Sequence, residues 1–334
     1  MITAFERLLA QLMDAHSQEP AAVQLRLLSQ LSRSEVQRVQ EVWPQIPAHR
    51  RRKMVRAMVE LAEDNIELNF DGIFRFCLED PDAEVRAVSI DGLWECEDVE
   101  LVGPLLRLLE QDESALVRTA AAEALGRFLL LSELGDISPV VGARIEQALL
   151  GAIQSPGEDL EVRRRAVESI AYSSEVAVND LIEDAYYDEE QKMRVSAIFA
   201  MGRSADIRWR GYVERELFSP DPEIRYEAAR ACGELEHVGA LPRLFELVED
   251  EDAEVREAAI WAIGQIGGRE AQRVLTSLLD HPDEAVSQAA LEALEFLHFQ
   301  MGTDIPLFEY DPSEDLGFLD DDLLDELRRE EWDV

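Results

Sequence analysis

Basic residues are scarce in this chain. Lys and Arg number 32 in 334 residues, against 71 Asp and Glu, for a net charge of -39 at neutral pH. A surface of that balance repels nucleic-acid phosphates and anionic lipid, so neither is expected as a partner. A basic partner would instead be attracted and steered in, with strong salt dependence. There are three cysteines, Cys77, Cys96 and Cys232. An odd count without CxxC spacing argues against a disulfide framework and for a reducing compartment. Five histidines, His16, His49, His237, His281 and His298, show no metal-ligand spacing, so no metal or cofactor is expected. Phosphate-binding, nucleophile-elbow, zinc-protease and calcium-loop patterns are missing, and Asp320-Asp321-Asp322 lacks the alternation and glycine of a calcium loop. No apolar run reaches the roughly 18 residues of a membrane span. The stretch MITAFERLLAQLMDAH carries acids and lacks the apolar centre of a signal peptide. These absences predict a cytoplasmic monomer that is not an enzyme.

The charge is uneven. Residues 1-60 carry a net of +3, and residues 302-334 a net of -11. Head, body and tail therefore differ in kind. Much of the acidity serves solubility.

What is present is a repeat. Val255-Arg256, Ile224-Arg225, Met193-Arg194 and Val162-Arg163 lie 31 residues apart, and Val286-Ser287 continues the series. Upstream the pattern returns at Val117-Arg118 and Val85-Arg86, 32 residues apart, with a weaker copy at Val55-Arg56. About 14 residues are inserted between Arg118 and Arg163, near 129-142. With the Arg position as zero, position +3 reads Ser89, Ala121, Ala166, Ala197, Ala228, Ala259, Ala290. Position +7 reads Leu93, Leu125, Ile170, Met201, Cys232, Ile263, Leu294. Apolar or small columns at -1, +3, +6 and +7 form one face of a helix. Gly126, Gly202, Gly233 and Gly264 at +8 read as helix terminators. At -4 stand Asp82, Ser114, Asp159, Glu190, Asp221, Asp252 and Asp283, residue types that favour a helix start. A second apolar helix precedes each start. Each unit is thus helix A, a turn, and helix B, which buries its apolar stripe only by stacking on neighbours.

The segment GALPRLFELVEDEDAEVREAAIWAIGQIG (239-267) resembles the HEAT-like repeat of phycobilin lyase subunits, and the resemblance extends over about residues 66-298. It implies an all-α, right-handed, armadillo-like α-solenoid of about seven two-helix repeats, with the B helices lining the concave face. It also implies a structural ladder of Asp82, Asp159, Asp221 and Asp252 with Arg86, Arg118, Arg163, Arg194, Arg225 and Arg256. Ser287 departs from it, as a terminal cap repeat would. Relatives of this architecture include chromophore lyase subunits, iron hydroxylases that use His-Glu pairs, and DNA glycosylases. This chain offers only the reversed Glu236-His237, and its basic runs are Arg50-Arg51-Arg52-Lys53 and Arg163-Arg164-Arg165. The first run reads as a solvated helix face, the second as part of the ladder. Cys232 and Cys77 fall on apolar stripes and read as core. Cys96, without a basic neighbour in sequence, is a poor nucleophile.

The face of helix B opposite the core falls near +1, +5 and +8. Position +5 is polar in most copies but reads Phe199, Arg230 and Trp261 in three consecutive ones, with Val195 and Tyr226 beside them at +1. Aromatic residues and Arg are enriched at binding hot spots. Trp94 at +8 extends the candidate surface. Residues 1-65 read as an N-terminal helical cap with helices over Ile2-His16, Ala21-Leu31, Ser34-Val42 and Ala48-Glu63. Residues 299-334 read as an acidic tail. Its Leu319, Leu323, Leu324 and Leu327 fall on one side of a short amphipathic helix, suited to docking in cis or in trans. Together these features predict a protein-binding scaffold or adaptor. The alternatives are a chromophore-lyase-like subunit, or an acidic nucleic-acid mimic that blocks a basic protein.

Overall fold

The computed structural model describes residues 3-14 and 20-300. The tail motif Leu319, Leu323, Leu324 and Leu327 lies outside the described residues. Eighteen α-helices make up the described chain. The first four are α1 Ala4–Met13, α2 Ala22–Leu25, α3 Arg33–Val42 and α4 Ala48–Asp64. Seven A/B pairs follow: α5 Asp71–Cys77 with α6 Ala83–Asp91, α7 Val102–Gln111 with α8 Ala115–Leu134, α9 Pro139–Gln154 with α10 Leu160–Ile170, and α11 Val176–Tyr186 with α12 Gln191–Arg203. Then come α13 Arg210–Glu216 with α14 Pro222–Glu234, α15 Leu241–Leu247 with α16 Ala253–Ile266, and α17 Gly268–Leu278 with α18 Glu284–Gln300.

Each B helix packs on the next, so α4, α6, α8, α10, α12, α14, α16 and α18 form one continuous row, with the A helices on the other side. The reason is in the columns. The -1 residues Val85, Val117, Val162, Met193, Ile224, Val255 and Val286 are at most 3% exposed, and every +3 residue is 0% exposed. A single core runs from Leu8 to Leu294 without a break. An α-solenoid is the only way such two-helix units bury this stripe, since each contacts just its neighbours. The inserted residues are helical except for a four-residue connection at 135-138. They lengthen α8 to 20 residues and occupy the first part of the 16-residue α9, with Gly135 closing α8 in the left-handed conformation at φ 86°.

The glycines at +8 do something other than end helices. The helix that carries Gly233 continues to Glu234, and the one that carries Gly264 runs on to Ile266 and ends at Gly267, φ 68°. A Cβ on Gly233 would sit 2.9 Å from Ala262 Cα, and one on Gly202 2.9 Å from Ala231 Cα. These glycines let successive B helices approach backbone to backbone.

Asp82, Asp159, Asp221 and Asp252 at -4 are helix caps, and among the described residues none of them pairs with an arginine at position zero. The side chains of Asp82, Asp159, Asp221 and Asp252 accept hydrogen bonds from the backbone N–H of Glu84, Glu161, Glu223 and Glu254. The arginines reach into the following repeat and meet other acids. Arg86 pairs with Asp112 at 2.8 Å, Arg118 with Glu158 at 2.7 Å, Arg225 with Asp250 at 2.7 Å and Arg256 with Asp283 at 3.3 Å. Arg163 and Arg194 reach Asp188 and Glu216, each at 3.7 Å. A second arm of the guanidinium holds the chain before its own helix: Arg86 donates to the Asp80 carbonyl at 2.7 Å, and Arg256 to that of Asp250 at 2.9 Å. A planar fork with several donors ties both partners at once, which an ammonium does less well.

The ladder starts one helix earlier than the sequence suggests. Arg50 and Arg51 of the first basic run are 3% and 6% exposed, so this half of the run is not a solvated face, whereas Arg52 and Lys53 are exposed. Arg51 lies 2.9 Å from Asp80, whose carboxylate also accepts from Trp43 Nε1 at 2.7 Å. Arg52 pairs with Asp82. The Cys77 and Cys232 thiols are buried, and burial pushes both above the ordinary thiol range. Cys96 has a basic neighbour after all, since Arg75 donates to its Sγ at 3.2 Å. No helix among the described residues is long and apolar enough to cross a membrane.

Candidate interaction face on the B helices

Three consecutive B helices, α12, α14 and α16, place Phe199, Arg230 and Trp261 in one row, each half-buried. The spacing follows from the 31-residue period, which returns each +5 side chain to the same angle about its helix. Arg230 spans two repeats, its guanidinium carbon 3.8 Å from the centre of the Trp261 ring. Arg203 lies over Phe199 at 5.2 Å and is 3.4 Å from Glu234. Phe199, Tyr226, Glu227, Arg230 and Glu234 line a cavity of about 90 Å³. A second cavity of about 240 Å³ continues the groove toward α18, between Trp261, Glu257, Gln265, Glu292 and Phe296.

Not every expected residue joins this groove. Val195 is 5% exposed and packs in the core, so it presents no surface to a partner. Trp94 is 53% exposed but stands just past α6, with α8 and α10 between it and α12. Its carbonyl accepts from Arg127, and the Cys96 carbonyl accepts from the same guanidinium at 3.0 Å.

Toward α10 the groove is closed by a buried polar network. Arg164 and Glu168 are each 9% exposed. Arg164 donates to Ser196 Oγ at 3.0 Å, and Ser196 Oγ donates to Glu168 at 2.6 Å. Arg165 also donates to Glu168. Here the +5 position is therefore not a solvated acid.

The carboxylates are the part that the +5 column did not reveal. Glu227 makes no hydrogen bond or ion pair among the described residues. Burial first, and Glu168 second, push its carboxyl up to about 7, against the opposing pull of Arg230. Burial raises Glu234 as well, with Arg203 and Arg230 pulling it back. At the far end of the row Asp91 is pushed up to about 6 by burial and by Glu123. Glu227 stands at +2, where the other copies carry Val88, Ala120, Arg165, Ser196, Ala258 and Ala289. An acid in a mostly small column was the available signal. The arrangement is a groove with aromatic walls and three carboxylates, of which Glu227 has no ion-pair partner among the described residues while Glu168 and Glu234 are paired with Arg165 and Arg203.

Residues 71–149 and 214–295 match the family model for HEAT repeats. No curated protein matches the sequence. Among solved structures, the chain is similar to the complex of phycocyanin lyase from Nostoc sp., at 17% identity over 68% of this chain and 94% of that one, with a TM-score of 0.46. It is similar to human deoxyhypusine hydroxylase in complex with glycerol, at 19% identity over 80% of this chain and 96% of that one, TM-score 0.35. A designed armadillo repeat protein is 20% identical over 59% of this chain and 99% of its own length, TM-score 0.39. Stacked two-helix units, a continuous B-helix row and the two matched segments lead to one conclusion: this chain is a HEAT-repeat α-solenoid protein.

Proposed function

We propose that this chain is a non-catalytic scaffold that binds a basic segment of a protein partner along its B-helix face, the side that the repeat family turns inward. One observation carries the reading: Glu227, half-buried between aromatic walls and beside Glu168 and Glu234, has no cation of its own. A Lys or Arg side chain laid in the groove of Phe199, Tyr226 and Trp261 would meet both a ring face and a carboxylate. Such contacts gain strength where water is displaced. A surface at -39 overall would also draw that segment in.

The test is fluorescence anisotropy with a labelled hexa-arginine peptide and the full chain, at low and high salt, with hexaglutamate as control. Binding should weaken on the order of tenfold in Glu227→Gln and more in a Phe199→Ala, Trp261→Ala double variant, as removal of anchors at a charged interface does. Equal affinity for wild type and both variants would show that the attraction is diffuse and that the groove is not the site.

A further inference from the structure

On the A-helix side a second groove runs between α7 and α9. It encloses about 540 Å³, more than twice either cavity on the B-helix face. Its floor is Leu106, Ala148, Gly151 and Ala152, and a Cβ built on Gly151 would meet nothing within 4 Å. Small residues on a helix face leave room for another helix to lie close. At its walls stand Arg107 and Arg144, both exposed. Neither makes a hydrogen bond or ion pair among the described residues, whereas the ladder arginines from Arg86 to Arg256 each face an acid. Of the two acids lining the groove, Glu158 is already held by Arg118 at 2.7 Å, which leaves Glu110 alone. In a chain with 71 acids, two free arginines over an apolar floor call for an acidic, amphipathic occupant.

The chain carries such a segment. We propose that the groove between α7 and α9 is the docking site of this chain's own C-terminal segment, with Leu319, Leu323, Leu324 and Leu327 against the floor and its carboxylates toward Arg107 and Arg144. Residues 302-334 have a net charge of -11, and those four leucines share one side at helical spacing. The B-helix face is a poor alternative for it, since Glu227, Glu234, Glu257 and Glu292 line that groove and would repel it. Reach is sufficient. Eighteen residues separate Gln300 from Leu319, and an extended chain covers about 3.3 Å for each, or roughly 60 Å. Four helix-to-helix steps of about 10 Å from α18 back to α10, and one more across to α9, give a span on the order of 50 Å. Docking here leaves the B-helix face open, so this inference stands apart from the proposed function.

The experiment is photo-cross-linking in the full chain with p-benzoylphenylalanine at Leu323 and, separately, at Glu326, the second keeping all four leucines. Peptide mapping of the monomer band reads where the tail sits. The expected result is cross-links within one chain to residues 102-111 or 139-154, with yield falling several-fold at 0.5 M salt as screening shortens the reach of the arginines. They should vanish in Arg107→Glu, Arg144→Glu, two exposed positions whose reversal leaves the circular-dichroism melt unchanged. Cross-links to the B-helix face, cross-links between two chains, no cross-link from either position, or yields unaffected by the charge reversal would each overturn the proposal.

Discussion

Arg230 and Trp261 join two successive repeats face to face, the guanidinium carbon 3.8 Å from the ring centre and one wall of the candidate groove. Arg230, held over the ring, still pulls on Glu227 without forming an ion pair with it. Arg230→Ala should therefore leave stability within about 1 kcal/mol of wild type, because a partly exposed cation–ring contact contributes roughly that much. A thermal melt checks this. Affinity for a basic peptide should rise in this variant, since a competing cation has gone, and a fall would contradict the assigned role.

Glu227 makes a pH prediction. Its folded-state value of about 7 lies above the ordinary carboxylate range, so the folded chain holds a proton that the unfolded chain releases. The stability from this group is fully present below the ordinary range, near pH 4.5, and is lost as pH rises through about 7. The groups that face it are Glu168 from α10, Glu223, Arg230 and Glu234 from its own helix, and none supplies a cation that removes the effect. Glu227→Gln should flatten the decline in denaturant midpoint between pH 5 and pH 8. A basic peptide should bind with proton release near pH 6.5, read by calorimetry in two buffers of different ionisation enthalpy.

The Arg51–Asp80 pair is buried, with side chains 7% and 0% exposed. Asp80→Ala strands a buried guanidinium and the Trp43 N–H together. The expected loss is about 3–5 kcal/mol, the range for breaking a buried pair from one side. Replacing both partners by Met and Leu should recover much of it. Urea denaturation of the single and double variants measures both.

Gly233→Ala should destabilise by about 1–3 kcal/mol, because its methyl meets Ala262 Cα at 2.9 Å and the Trp261 ring at 2.6 Å. Gly151→Ala, with nothing within 4 Å, should instead stabilise by up to about 1 kcal/mol through helix propensity. Opposite signs for one substitution at two helical glycines separate close packing from propensity. Equal signs would count against the close approach of α14 and α16.

Much of the architecture was legible because a repeat tests itself. Seven copies with Val, Met or Ile at -1 and Ala or Ser at +3 left no doubt which stripe would be buried, and those side chains are at most 3% exposed. The row of Phe199, Arg230 and Trp261 was legible for the same reason. Val195 misled, because a +1 position faces solvent only where the next B helix stands far enough away, and between α12 and its neighbours it does not. Arg50 and Arg51 misled because a basic run looks alike whether its partners are water or, as here, the Asp14 carbonyl for Arg50 and a buried carboxylate 29 residues onward for Arg51.

The sequence alone determined the period, the helices and the core columns, since these depend on spacing within one chain segment and on the transfer of apolar side chains out of water. The tertiary structure decided what depends on the offset between one repeat and the next. That offset made Asp82 and Asp252 caps, gave Asp112 and Asp250 to the ladder, pressed Gly233 against Ala262, and left Glu227 without a cation. A 31-residue period fixes the angle at which a side chain leaves its helix. It does not fix how far the neighbouring helix has slid along its axis, and a shift of one turn, about 5 Å, changes every partner.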